Sequence, residues 1–309
     1  MKRAFFIVGP TAAGKSEIAA EVAERTGAEV LSADAFQIYR GLDLLTAKPG
    51  PATLAKAPHN LIGAVPLSDE MNVEKYRDAA EKIIARGKPM IVVGGTGLYV
   101  KALTHGLAPM PSANSKLREK LERATSEELL RSLRALDPET AEKIDRKNRR
   151  RLIRAVEVCL LTGKPFSAQR TQWRGTGILP VGETNRQDAC ATNGVLLTRD
   201  RAELYARINR RVEEMFQAGV VDEVRAVKDL GPTAEKTIGL REIRALLAGE
   251  ISTAECIARI QQATRRYAKR QLTWFQRQTN FTPLNLSAHR TFEALEAISQ
   301  SASRVFARG

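Results

Sequence analysis

Residues Gly9-Pro10-Thr11-Ala12-Ala13-Gly14-Lys15-Ser16 constrain what this chain can fold into more than any other stretch. Ala4 to Val8, all apolar, lead straight into them as a buried strand, and Ile18, Ala19, Val22 and Ala23 follow at helical spacing. The octapeptide is G-x-x-x-x-G-K-S in the strand, loop and helix context that the motif requires. Glycines let backbone N–H groups curl around a phosphate chain. The helix dipole and Lys15 add positive potential, and the Ser16 hydroxyl offers a Mg²⁺ ligand. The loop therefore binds phosphate, without saying whose.

A chain of 309 residues with 43% apolar content is long enough for a full α/β core and a smaller second unit. No run approaches the ~20 apolar residues of a membrane span, and the first apolar run is too short, and too soon followed by the loop, for a signal peptide. The expected location is the cytoplasm, with no membrane partner. Cys159, Cys190 and Cys256 stand singly, as do His59, His105 and His289, which argues against a disulfide scaffold and a structural zinc site.

Charge narrows the partner. The 49 Lys and Arg against 35 Asp and Glu leave a formal charge of +14. Solubility alone could use a basic surface, but these residues cluster. Arg146, Lys147, Arg149, Arg150, Arg151 and Arg154 fall within nine positions, and no acidic residue occurs between Cys256 and Phe292. Two dense patches point to a polyphosphate backbone, that is, nucleic acid.

The chain in order reads as alternating strands and helices. Gly27 suits the left-handed cap of the first helix. Glu29 to Leu31 form a second strand that delivers Ser32-Ala33-Asp34 to the carboxyl edge of the sheet, where open α/β sheets bind ligands. Asp34 is thus a candidate for chemistry, with an N-cap as its bland alternative. Lys48, in Thr46-Ala47-Lys48-Pro49, is an active-site cation or a surface lysine. Met90 to Val93 form another buried strand, emptying into a second glycine turn, Gly94-Gly95-Thr96-Gly97-Leu98-Tyr99, on the same edge.

From Met110 to about Leu197 the strand signal is replaced by helical spacing, with the Arg patch opening the last long helix. The expected division is a catalytic core of residues 1–110 and 196–309 with a helical insertion at 111–195. Asp200 opens a helix that puts Arg207 and Arg211 one turn apart. Ser252 and Glu255 form a capping box for a helix through about Phe275, where Tyr267, Trp274 and Phe275 alternate with arginines. Aromatics so placed can stack bases, although helix-spaced aromatics are more often core. The tail after Pro283 reads as a weakly amphipathic closing helix.

Taken together, these motifs resemble the bacterial tRNA dimethylallyltransferases, also called tRNA isopentenyltransferases. The resemblance rests on Gly9 to Ser16, Ser32 to Asp34 with Gln37 to Asp43, Thr46 to Pro49, Ala57-Pro58-His59, Gly94 to Tyr99, Arg151-Leu152 with Arg154-Ala155, Ile238-Gly239 with Arg241-Glu242, and Lys269 to Phe275. It spans nearly the whole chain except about residues 175–194. It implies an α/β fold, a P-loop kinase-like parallel sheet flanked by helices with a helical insertion domain that grips tRNA. It further implies transfer of a dimethylallyl group from dimethylallyl diphosphate to the N6 amine of the adenosine 3′ to the anticodon. The loop, Gly9, Pro10, Thr11, Ala12, Ala13, Gly14, Lys15 and Ser16, would then hold the donor's diphosphate, with Mg²⁺ near Ser16.

Family roles carried over by position make Asp34 the base that takes the amine proton, Thr96 its orienting partner, and Lys15 and Arg211 the cations on the departing diphosphate. Positions matching tRNA contacts are Asp34, Ala35, Phe36, Gln37, Thr96, Arg118, Arg150, Arg151, Leu152, Ile153, Arg154, Lys236, Thr237, Ile238, Gly239, Leu240 and Arg241. Two departures stand out: Ala35 replaces a common serine and Leu240 a usual tyrosine. A monomer is expected. The rival readings are a small-molecule or nucleotide kinase, a prenyltransferase of free adenine nucleotide, and an NTP-gated RNA-binding module. The basic insertion argues against the first two, and Asp34 with Thr96 in one pocket against the third.

Residues 175–194 keep no periodicity, hold glycine four times, and balance Arg186 with Glu183 and Asp188. They read as a tolerated loop, dispensable for catalysis, with Cys190 an unpaired thiol, since loop closure entropy grows only about 0.6 kcal/mol per doubling of length. Replacing Arg150, Arg151 and Arg154 together by Ala is expected to weaken tRNA binding and flatten its salt dependence, because each lost phosphate contact releases fewer counterions. A filter-binding titration across salt concentrations checks this; an unchanged slope places the RNA elsewhere.

Overall fold

The computed structural model describes residues 3–107, 110–170, 193–277 and 281–307. Most of the 175–194 loop, including Cys190, lies outside them. Asn193 and Gly194 do not: Phe6 N–H donates to Asn193 O at 2.8 Å, and Gly194 opens a strand.

Six strands form one sheet: β1 (Ala4–Val8), β2 (Glu29–Ser32), β3 (His59–Asn60), β4 (Met90–Gly94), β5 (Gly194–Thr198) and β6 (Thr282–Asn285). Their order is β3-β2-β4-β1-β5-β6, and every pairing is parallel. Parallel neighbours require crossovers, and helices on both faces explain why β1, β2 and β4 are buried at every residue. The sequence-based reading missed β6. Proline donates no ladder hydrogen bond, so Pro283 signals a break, yet an outermost strand tolerates it.

Strand order builds the site. Because β2, β4 and β1 are adjacent, Asp34, the Gly94–Thr96 turn and the phosphate loop emerge side by side at the carboxyl edge. Registers align Ser32 with Val93 and Val8 with Gly94. The turns approach so closely that a Cβ on Gly94 would lie 2.3 Å from the Ala33 carbonyl oxygen.

One core cluster joins β1 and the helix Lys15–Thr26 to the tail. Ile298, Ala302 and Phe306 of the helix Thr291–Ala307 pack with Ile18, Val22 and Ile7. The closing helix thus covers the helix whose N-terminus carries Lys15 and Ser16. A second cluster gathers Leu42, Leu45, Val212, Leu240 and Ile260.

The chain falls into two compact units, Met1–Thr104 with Leu179–Gly309, and His105–Ile178. Within the second, helices Ser115–Arg123, Ser126–Leu136, Pro138–Lys143, Arg149–Thr162 and Phe166–Arg170 enclose Leu121, Leu133, Leu152, Val156 and Cys159. Thr125 and Glu128 close a reciprocal capping box.

Gly9 sits at φ +148, and a Cβ there would lie 2.3 Å from the Leu197 carbonyl oxygen of β5. Both backbone conformation and space exclude a side chain. Gly9→Ala is therefore expected to destabilise the fold by about 3 kcal/mol or more. Urea unfolding checks it; a midpoint equal to wild type contradicts the close approach of loop and β5.

Candidate active site

The phosphate loop is bent beyond what its glycines explain. Ala12, a non-glycine, has φ 65, two residues before Gly14 at φ 95. Such strain persists only where neighbours over-determine it. Arginines do so here. Arg207 Nε donates to Ala12 O at 2.9 Å, Arg199 Nε to Ala13 O at 3.1 Å, and Arg211 Nη2 to Thr11 Oγ1 at 2.7 Å. Arg207 and Arg211 share the helix Arg201–Gln217, whose Leu204, Ile208 and Val212 are buried, so the 3.6-residue period turns the two arginines together toward the loop. Arg207 and Arg199 were absent from the expected site; only the one-turn spacing of Arg207 and Arg211 hinted at the first.

The loop opens onto a cavity of about 510 Å³ lined by Thr11, Lys15, Ser16, Asp34, Lys48, Arg207, Arg210 and Arg211, among others. Lys15 Nζ donates to Pro10 O at 2.7 Å. Burial pulls its pKa down to about 8; Arg211 pushes the same way, and Asp34 and Glu17 oppose. Burial also lowers the pKa of Arg211, whose Nε is buried without a hydrogen-bond partner among the described residues. Lys15 and Arg211, two desolvated cations lining one cavity, are an unfinished charge balance that a polyanion would complete.

Asp34 caps its own turn and also lines the cavity. Its Oδ1 accepts from Phe36 N–H at 2.9 Å and Gln37 N–H at 3.2 Å. Thr96 reaches the same turn from β4: its Oγ1 accepts from Ala35 N–H at 3.0 Å and its N–H donates to Ala33 O at 3.2 Å. Burial raises the pKa of the Tyr267 phenol, a rise that the neighbouring Thr96 hydroxyl partly offsets. A smaller cavity adjoins the first at Thr11, Asp34 and Arg211, walled by Phe36, Leu45, Met215, Ile238, Ile260 and Tyr267.

Lys48 proves to be a brace, its ammonium donating to Tyr39 O, to Gly41 O at 3.0 Å and to Asp43 Oδ1 at 2.5 Å. Gln37 does similar work, its amide donating to Thr46 O at 3.3 Å and Ala47 O at 2.9 Å. Glu223 completes the frame by accepting from the N–H groups of Leu44 and Leu45, both at 2.9 Å.

Several positions expected to touch RNA point inward instead. Leu152 and Ile153 lie in the core of the helical unit, while Thr237 and Leu240 are buried in the other unit. A contiguous motif on a helix necessarily turns some of its residues to the core. Arg118 and Arg154 are committed to the buried Glu157: Arg118 binds both carboxylate oxygens, at 2.9 and 3.0 Å, and Arg154 Nη1 one at 2.7 Å. Arg154 Nη2 also donates to Pro111 O at 2.8 Å. Arg150, Arg151, Lys236 and Arg241 are exposed. For the salt-dependence test, Arg150 and Arg151 are thus the clean pair, since removing Arg154 also strips a partner from Glu157.

Mg²⁺ fits this donor set in one manner. Ser16, at the start of the loop's helix, lines the cavity, and among the described residues no cluster of three or more His, Cys, Asp or Glu forms a protein cage. Magnesium held by one hydroxyl and substrate phosphates needs none.

The chain matches known proteins over most of its length. The family model described as IPP transferase matches residues 37–278, and that described as Isopentenyl transferase matches residues 2–70. The tRNA dimethylallyltransferase of a Caulobacter species is 45% identical over 285 residues, 88% of this chain and 89% of that protein. The tRNA dimethylallyltransferase 1 of Citrifermentans bemidjiense is 42% identical over 275 residues, 86% and 87% of the two chains. Among solved structures, the tRNA isopentenylpyrophosphate transferase of Bacillus halodurans superposes with a TM-score of 0.69 at 32% identity, covering 100% of this chain and 98% of that one.

The Lys15 pKa sets a pH dependence. Only the protonated amine attracts a polyanion, and a bound anion raises its pKa, so binding takes up a proton once the free amine has lost it. Inorganic diphosphate affinity is expected to fall, relative to its trend in Lys15→Met, as pH rises through about 8. Isothermal titration from pH 7 to 9.5 in both proteins checks this; parallel profiles contradict it.

Proposed function

Since this chain belongs to the IPP transferase family that includes the tRNA dimethylallyltransferases, we propose that it transfers a dimethylallyl group from dimethylallyl diphosphate to tRNA. The acceptor is the N6 amine of the adenosine 3′ to the anticodon. One observation supports this reading above the rest: Asp34 lines the same cation-walled cavity as the phosphate loop, in a turn held by its own carboxylate and, through Ala35, by Thr96.

The chemistry follows from that placement. An aromatic amine is a weak nucleophile until its proton has somewhere to go. As nitrogen bonds to the donor's first carbon, the carbon–oxygen bond to diphosphate breaks and Asp34 accepts the amine proton. Negative charge grows on the departing diphosphate, where Lys15, Arg211 and the loop's N–H groups oppose it. Mg²⁺, bound through Ser16 and phosphate oxygens, would add to that stabilisation. Thr96 holds the Ala35 N–H and so fixes the turn bearing the base.

An adenosine reaches such a pocket only by leaving its stack, which requires a grip on the surrounding RNA. Arg150 and Arg151 on one unit, and Lys236 and Arg241 on the other, are exposed cations for that purpose. None of the helices among the described residues is long and apolar enough to cross a membrane. The same reading has the protein work as a cytoplasmic monomer.

Asp34→Asn separates the two duties of this residue. Asparagine Oδ1 still accepts from Phe36 and Gln37, but the amide takes no proton. The single-turnover rate is expected to fall ~10²-fold or more with melting temperature and diphosphate affinity nearly unchanged. Asp34→Ala should fall as far and lose stability too. Transfer within a few-fold of wild type in the Asn variant removes Asp34 as the base.

A further inference from the structure

The phosphate loop follows β1 and Asp34 follows β2, and one side chain ties that loop to the β4 turn that lies between them. Gln271, in the helix Thr253–Gln276, is only 6% exposed. Its Oε1 accepts from Thr11 N–H at 2.8 Å, and its Nε2 donates to Gly95 O at 2.9 Å. Both ends of the amide are therefore used, one on each glycine turn. The fit is close: a Cβ on Gly95 would lie 2.1 Å from Gln271 Nε2.

The helix bearing Gln271 is itself held against both turns. Phe275 is fully buried, and Ala268 packs with Leu204 and Ile208 of the arginine-bearing helix. Trp274 lies over Gly97, where a Cβ would come within 2.4 Å of the indole. One turn before Gln271, the Tyr267 phenol neighbours Thr96 and the Gln271 amide. A continuous chain of contacts thus runs from Thr11 through Gln271 to Gly95 and Thr96, and from Thr96 Oγ1 to Ala35 beside Asp34.

We propose that Gln271 is a positioning residue for prenyl transfer, setting the separation between the diphosphate held at Thr11 and the carboxylate of Asp34. The role rests on the transferase reading above. Transfer needs the donor carbon, the amine and Asp34 aligned at once, and a misplacement of about 1 Å can lower a rate 10²-fold. Few side chains meet the requirement, because one planar group must accept from Thr11 and donate to Gly95. Methionine has similar length and neither hydrogen bond.

The test compares wild type, Gln271→Met, Asp34→Asn and the double variant in single-turnover transfer of labelled dimethylallyl groups to unmodified tRNA, with inorganic diphosphate affinity and melting temperature measured alongside. Gln271→Met is expected to lose on the order of 10²-fold in rate while diphosphate affinity stays within a few-fold. In the Asp34→Asn background the same substitution is expected to cost less than threefold, since alignment to an absent base no longer matters. A Gln271→Met rate near wild type, a loss carried entirely by weaker diphosphate binding, or equal losses in both backgrounds each overturn the role. An inactive wild type overturns the transferase reading and this role with it, and is distinguishable because it precedes any variant.

Discussion

The grip of arginines on the phosphate loop is the interaction on which the rest of this site depends. A loop that carries alanine in a left-handed conformation does not hold its shape alone, and Arg199, Arg207 and Arg211 hold it from the loop's own carbonyls and the Thr11 hydroxyl. Those contacts spend acceptors on cations of which Arg207 and Arg211 also line the cavity. The guanidinium groups therefore shape the loop and charge it in one arrangement. Lys15, drawn down to about 8 by burial, shows the tension: in the free protein, the site disfavours one of the charges its ligand needs.

Strand order converts that loop into a reaction centre. With β2, β4 and β1 adjacent, three loop ends share one edge, and the glycines there allow backbone-to-backbone approach that no other residue permits. The braces around it, Gln37, Lys48, Glu223 and Gln271, mostly bond to main-chain groups. Polar side chains that satisfy buried backbone groups fix loop geometry at small net energy, while their loss leaves orphaned groups behind. The net charge of +14 divides accordingly. Arg118, Arg154, Arg199, Arg207 and Arg211 have interior partners, while Arg150, Arg151, Lys236 and Arg241 are among the exposed cations.

Local pattern made the phosphate loop, Asp34 and Thr96 readable before any coordinates, because glycine spacing, a buried strand and a helix start are all encoded within a few residues of one another. Gln271 carried no such mark. Its partners lie 260 and 176 positions away, and a glutamine on an arginine-rich helix reads as solvated. Gln37 and Lys48 were visible as residues but not as braces, since main-chain acceptors have no sequence signature. Leu152 and Leu240 were misplaced in the opposite direction: motif matching treats a run of residues as one surface, while a helix turns every third or fourth residue inward. The weak edge strand β6 escaped for a third reason, the proline within it.

On the proposed function, this phosphate loop holds the diphosphate of a prenyl donor and aims it at an adenosine of tRNA. The most direct measurement supplies purified protein with Mg²⁺, unmodified tRNA and dimethylallyl diphosphate labelled in the alkyl group, with no ATP present, and maps the label by nuclease digestion and mass analysis. Prenyl transfer predicts label in the single adenosine 3′ to the anticodon and release of one diphosphate per label. Label absent from the RNA, with ATP consumed when it is added in the donor's place, would contradict it.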